Sequence, residues 1–212
     1  LPDEVEKYAP ITLGDRLHQG EVVTGLVRLR QSINSIGLEA ITVDEIIHPY
    51  LIVLTQDCDL AQDADARKVQ ANADDDLALV NDPEFKRKLD NSAKLKIDSV
   101  LFCEAMSTLD MKNCVPPGKD IWKRIIQNKD ERYQCLEAVP PELDLAGTGM
   151  PSLGCDFKRF VTIPVVEVYR RLELNPAVRR SRLLTPYAEH LLQRFCNFQC
   201  RIPLPENHHV PP

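Results

Sequence analysis

Short apolar runs separated by polar breaks dominate this chain, and most of them have the period of a strand. Residues 20–30 alternate apolar and polar side chains, as a strand does when one face is buried. A second strand is expected over 38–43, entered after Gly37. Residues 50–55 are nearly all apolar and partly β-branched, which predicts a central strand buried on both faces. Pro49 fits its start, because the missing N–H is tolerated at a strand's first position. Further strands are expected over 98–104, 132–138 and 156–163. Pro140, Pro141 and residues 147–154 read as loop.

Helical periodicity is confined to three places. In 185–200, Tyr187, Leu191, Leu192, Phe195 and Phe198 recur on one face, with Thr185 as N-cap and Pro186 at N1. That stripe predicts a helix packed on a core. Residues 120–127 predict a short amphipathic helix with Ile121, Trp122, Ile125 and Ile126 on its apolar side. Residues 62–94 are Ala/Asp-rich, with helical propensity returning after Asp82 and Pro83. They read as an acidic, part-helical surface insertion. The order predicts an α+β chain, mainly β. It would form a single domain over 1–212, a small barrel closed by the last helix, with a proline-rich tail at 203–212.

Net charge changes the picture because it is unevenly placed. The total is −6, from 26 basic and 32 acidic residues. Acid concentrates in 57–90, and base towards the C-terminus in Lys158, Arg159, Arg179, Arg180 and Arg182. Such a face could meet phosphate or an acidic partner, or the two halves could neutralise each other within the fold. No run approaches the roughly 18 apolar residues of a membrane span. The opening residues lack the apolar core of a secretory signal, so a cytoplasmic, bacterial protein without membrane contact is expected. Seven cysteines without a Cys-x-x-Cys pair read as free thiols rather than a disulfide framework or zinc site, and no metal or cofactor is expected.

Chemistry is most concentrated where the central strand ends, at Gln56, Asp57, Cys58 and Asp59. On an extended strand end Asp57 and Asp59 would point to one side and could hold a divalent cation. Before Leu60 either could instead cap a helix. Cys58 near a helix N-terminus would be an activated thiol, although both flanking carboxylates oppose that.

Three segments resemble the PemK/MazF-like toxin family. Gly20-Glu21-Val22-Val23 looks like its opening strand, His48 to Gln56 is similar to its Arg-Pro-led apolar strand, and Val100 to Ser107 resembles a later one. Residues 156–163 echo its last strand. The resemblance implies an SH3-like barrel and RNA cleavage. It departs from the pattern at His48, where the family has arginine, and Arg28 and Arg30 are only nearby counterparts of its first-loop arginine. Ser107 and Thr108 stand where it has threonine.

Two functions follow as expectations. The favoured one is a non-catalytic barrel module of a toxin-like or defence-like system. It would contact nucleic acid or a partner protein through Lys158, Arg159, Arg179, Arg180 and Arg182, and it could pair as a homodimer. The alternative is an endoribonuclease with His48 as acid/base, Arg28 as charge stabiliser, and Asp57, Cys58, Asp59 and Ser107 completing the site. Few aromatics flank the C-terminal arginines in sequence, so base stacking is not expected of them.

Overall fold

The computed structural model describes residues 6–12, 14–33, 41–76, 79–115, 118–174 and 176–201. In chain order the elements are β1 (Tyr8–Ala9), β2 (Glu21–Thr24), β3 (Val27–Ile33), β4 (Ile41–Ile47), β5 (Tyr50–Val53), α1 (Asp57–Asp75), α2 (Pro83–Ala93), β6 (Ser99–Ser107), α3 (Thr108–Cys114), α4 (Lys119–Ile126), β7 (Tyr133–Leu136), β8 (Leu153–Pro164), α5 (Val165–Glu173), β9 (Val178–Leu183) and α6 (Tyr187–Gln199). The fold is α+β. A seven-stranded antiparallel sheet, ordered β1-β9-β2-β5-β6-β8-β7, organises it, and β3 and β4 form a separate two-stranded ribbon.

The sheet curls. Tyr8, in the first strand of that order, donates its hydroxyl to the Glu137 carbonyl at 2.9 Å, just beyond the last strand, and Lys7 pairs with the Glu137 carboxylate. The two edges are thus joined by side chains, and no β1–β7 ladder exists among the described residues.

β5 is the middle strand of the seven, and its alternation feeds two cores. Ile52 joins Val22, Cys103, Cys155 and Phe157 on the side that α6 covers with Leu191 and Phe195. Leu51 and Val53 join Val23, Phe102, Val161 and Ile163 on the other, where Leu60 of α1 and Val165 and Val168 of α5 pack. All three β5 residues are fully buried. Each such side chain contributes about 1.5–3 kcal/mol through burial, which is why an almost continuous apolar run occupies the centre.

Several boundaries differ from the sequence reading. The expected strand over 20–30 breaks at Gly25, which has φ +78° and leaves 2.0 Å between an added Cβ and the Pro176 carbonyl oxygen. That contact fits only glycine, and beyond the break β3 leaves the main sheet. β4 runs later than expected, and the expected start at Leu38 lies outside the described residues. Residues 62–94 are mostly two helices. α1 begins at Asp57 and buries Leu60, Asp63, Ala64, Ala66 and Ala73, while α2 uses Asp82 as N-cap and Pro83 at N1. β8 already includes Leu153 and Gly154, in the expected loop. Gly154 lies against Met111, whose Sδ would be 2.4 Å from an added Cβ.

α4 turns Ile125 inward and leaves Ile121 and Ile126 largely exposed. α3, α5 and β9 carried no strong period and were not expected. α6 starts one residue late. Its N-cap position is Pro186, while the Thr185 hydroxyl bonds the Glu189 carboxylate at 2.8 Å. The proline-rich tail lies outside the described residues.

Candidate functional site

Two polar clusters stand out, at different places on the sheet. The first forms where the segment before β2 meets the start of α1. Arg16 donates to both oxygens of Asp57, at 3.1 and 2.5 Å. The Gln19 N–H donates to Asp57 Oδ1 at 3.2 Å, and the Gln19 side-chain oxygen accepts from the Asp57 N–H at 3.3 Å. That bond serves an N-terminal donor of α1 that Gln56, the N-cap, leaves uncapped. His18 Nδ1 lies 3.1 Å from Asp57 Oδ1, and Nε2 lies 3.1 Å from Asp15 Oδ2.

Beneath them, Glu21 is fully buried. It accepts the His18 N–H at 2.8 Å and two guanidinium bonds from Arg179, at 2.7 and 2.6 Å. Arg179 also donates to the Asp15 and Arg16 carbonyls. Burial alone would raise the Asp57 carboxyl, but Arg16 and the Gln19 N–H overcome this and hold it at about 2. A cavity of about 380 Å³ opens beside this cluster, lined by His18, Gln19, Asp57, Arg182, Thr185 and Glu189.

The second cluster is a bulge. Cys103 of β6 faces Phe160 of β8, and Ala105 faces Cys155, so the single residue Glu104 stands opposite four residues of β8. The extra chain turns outward and exposes Lys158, Arg159 and Phe160 in succession. Glu104 accepts from Arg159 at 3.3 Å and lies 3.1 Å from His48 Nδ1. The His48 bond, opposed by burial and helped by Arg159, holds the Glu104 carboxyl below its usual range. Arg132 clamps Asp156 with two bonds at 2.7 and 2.6 Å, fixing the base of the bulge. The Phe160 ring is 44% exposed and rests edge-on against Phe195, with centroids 5.4 Å apart.

The residues singled out from sequence are distributed over both clusters and beyond. His48 joins Arg159 through Glu104, but it is only 4% exposed, and its Nε2 has no hydrogen-bond partner among the described residues. Asp57 joins Arg179 through the Arg16 and His18 segment. Asp57 and Asp59 do not point to one side as on a strand, because both lie in the first turn of α1, where two residues subtend about 200°. Asp59 faces solvent beside Cys58, whose Sγ lies 3.6 Å from Gln56 Oε1 and 3.7 Å from Asp59 Oδ1.

Ser107 is the N-cap of α3. Its Oγ accepts the Asp110 N–H at 3.1 Å and donates to the Asp110 carboxylate at 2.6 Å. Arg28 stands exposed on the ribbon. Among the described residues, no hydrogen bond or ion pair brings Arg28 or Ser107 to His48 or Asp57. Arg180 turns inward and grips Asp144 through two bonds at 2.7 Å, which, against burial, holds that carboxyl at about 2. Arg182 and Lys158 have no ion-pair partner among the described residues. All seven cysteines are free, and no group of three or more His, Cys, Asp or Glu is arranged to hold a metal ion among those residues.

Sequence reasoning missed Arg16, His18, Glu21, Glu104, Arg132, Asp144 and Asp156. The one available signal was local. Asp15, Arg16, His18 and Gln19 crowd between two glycines, Gly14 and Gly20, just before an apolar strand. The partners that complete each pair lie up to 158 residues away. No helix of the described residues is long and apolar enough to cross a membrane.

A scan against protein-family models finds no match, and searches of curated proteins and of solved structures find none either. The functional reading therefore rests on the geometry above.

Proposed function

We propose that this chain is a binding module for single-stranded nucleic acid, with the β8 bulge as its contact surface. The observation that carries the reading is the exposed Phe160 ring, braced by Phe195 and adjoining Arg159 and Lys158. A held aromatic face stacks a base at low entropic cost, and neighbouring cations meet the flanking phosphates. Lys158 has no internal partner among the described residues, so its charge is available to a ligand. The fold proposal that goes with this is a PemK/MazF-like barrel. It draws support from the curled sheet with β5 at its centre, and it places the module in a toxin-like or defence-like system.

The basic surface is narrower than composition implies. Arg179 and Arg180 are held by Glu21 and Asp144, and Arg159 pairs with Glu104 and Asp156, which leaves Lys158 and Arg182 without an ion-pair partner among the described residues. The test is fluorescence anisotropy of labelled single-stranded RNA and DNA over a salt series. The reading expects binding that weakens linearly in log–log form as salt rises. No binding at low salt would refute it.

A second reading, RNA cleavage, is favoured by one observation. His18 is held by Asp57 at Nδ1 and lines the 380 Å³ cavity together with Arg182. Nε2 is held by Asp15 at 3.1 Å, so His18 reaches a substrate as acid/base only once that exposed carboxylate swings away, with Arg182 as the neighbouring cation. In this reading His18 takes the role first assigned to the buried His48. RNA fragments that appear with the wild type and vanish with His18→Ala would support it.

A further inference from the structure

The ribbon of β3 and β4 pairs with no strand of the main sheet. Each strand is seven residues long, so among the described residues the ribbon presents two open edges of unpaired backbone donors and acceptors. One face carries three exposed apolar side chains, with the exposed Glu45 opposite one of them, Leu29. Leu29, Val43 and Ile47 are 61%, 54% and 68% accessible. Two strands with an uncovered apolar face are marginal in water, and a third or fourth strand stabilises them.

The charges on the two edges are opposite. β3 carries Arg28, which is exposed, and β4 carries Asp44 and Glu45, also exposed. None of the three has an ion-pair partner among the described residues. The register, Arg28 opposite Ile46 and Arg30 opposite Asp44, places Arg28 and Asp44 on the same face as diagonal neighbours. Like edges of two copies would oppose like charges, Arg28 to Arg28 or Asp44 to Asp44. The β3 edge of one copy against the β4 edge of another instead brings Arg28 to Asp44, in the antiparallel register the ribbon already uses.

We propose that the ribbon is a self-association element, in which the basic β3 edge of one copy adds to the acidic β4 edge of the next. Such pairing is head-to-tail. Each added copy leaves one edge of each sign open, so assembly continues instead of stopping at a closed pair. The apolar faces carrying Leu29, Val43 and Ile47 then become one continuous face. The base of the ribbon adjoins the bulge, since His48 follows Ile47 and contacts Glu104, but the pairing itself needs no nucleic acid.

Sedimentation velocity of the full chain without nucleic acid tests it. The wild type should show a weight-average mass that rises steadily with concentration above the 24.0 kDa of one chain. Arg28→Glu with Arg30→Glu makes both edges acidic and should hold the mass at one chain. Asp44→Lys with Glu45→Lys makes both edges basic and should do the same. Mixing these two variants in equal amounts should restore growth, a gain that a misfolded chain could not produce. A wild type that stays at one mass, a dimer that stops growing, variants that assemble like the wild type, or a mixture that fails to assemble would each overturn the proposal. None of these outcomes bears on oligonucleotide binding at the bulge.

Discussion

The two basic strands β8 and β9 each carry a bulge with adjacent cations, and the two have opposite fates. In β9 the register skips Arg180, with Val22 facing Ser181 and Val23 facing Arg179. The extra residue is turned to Asp144, and its neighbour Arg179 reaches Glu21, so both guanidiniums end in buried carboxylates. In β8 the surplus residues turn to solvent. Only Arg159 finds carboxylates, and Lys158 and Phe160 are left to the surface. The difference follows from what lies across each strand. β9 runs between β1 and β2, with the Asp144 turn against it, whereas β8 bulges where β6 contributes a single residue. A run of arginines in sequence is therefore no measure of available charge, because a strand's place in the sheet decides which cations are neutralised.

Arg179→Ala is the sharpest way to break this comparison. It leaves the fully buried Glu21 carboxylate without its cation, a loss of about 3–5 kcal/mol for a broken buried pair. Chemical denaturation should show the unfolding free energy falling by that amount. Adding Glu21→Gln should recover part of it, because the uncompensated charge is removed. A change below about 1 kcal/mol would mean that β9 does not depend on this pair.

Acid titration separates the two strands by pH. Asp144 and Asp57 are held at about 2, below the ordinary carboxylate value of 3.8. A lowered carboxyl pKa contributes stability that is fully present above the unfolded value. That stability is lost as pH falls through the folded one. The wild type should therefore lose stability between about pH 4 and pH 2. Arg180→Ala should flatten that slope, because Asp144 then returns towards its ordinary value. Arg159→Ala should flatten it less, since Glu104 keeps His48 as a partner. Denaturation midpoints at stepped pH measure both slopes.

Phe160→Ala moves the comparison from stability to binding. Base–aromatic stacking is worth about 1–3 kcal/mol per base, so affinity for a single strand should fall at least about fivefold. The fold should hold, because Phe157 and Phe195 keep their own contact at 5.9 Å. Unchanged affinity would remove the aromatic platform from the binding surface.

These contrasts also show where the sequence was legible. The β5 run and the α6 stripe were readable because burial imposes a local period, and Ile52 and Leu191 follow it. Gly25 was not, because its constraint is the Pro176 carbonyl, which lies far along the chain. β9 was hidden for a similar reason. Its arginines read as surface because their partners, Glu21 and Asp144, are 158 and 36 residues away. Asp57 was visible as a candidate, but the Arg16 and His18 that hold it could be supplied only by the fold.

Lys158→Ala is the smallest and most specific change. The ammonium is exposed and unpaired among the described residues, and Lys158 is tied into the fold through its backbone N–H, which donates to Asp156 at 3.1 Å. Stability should therefore change by less than about 0.5 kcal/mol. If Lys158 meets one phosphate, its loss should lower the log–log salt slope by about 0.7, the value for one contact to a single strand. It should also weaken RNA and DNA alike, because a phosphate contact reads no base. The matched control is Arg180→Ala. Its guanidinium is already bound to Asp144, so that variant should lose stability and keep the slope. A salt slope that moves with Arg180 and not with Lys158 would put the contact surface on β9, and would reverse the reading of the two bulges.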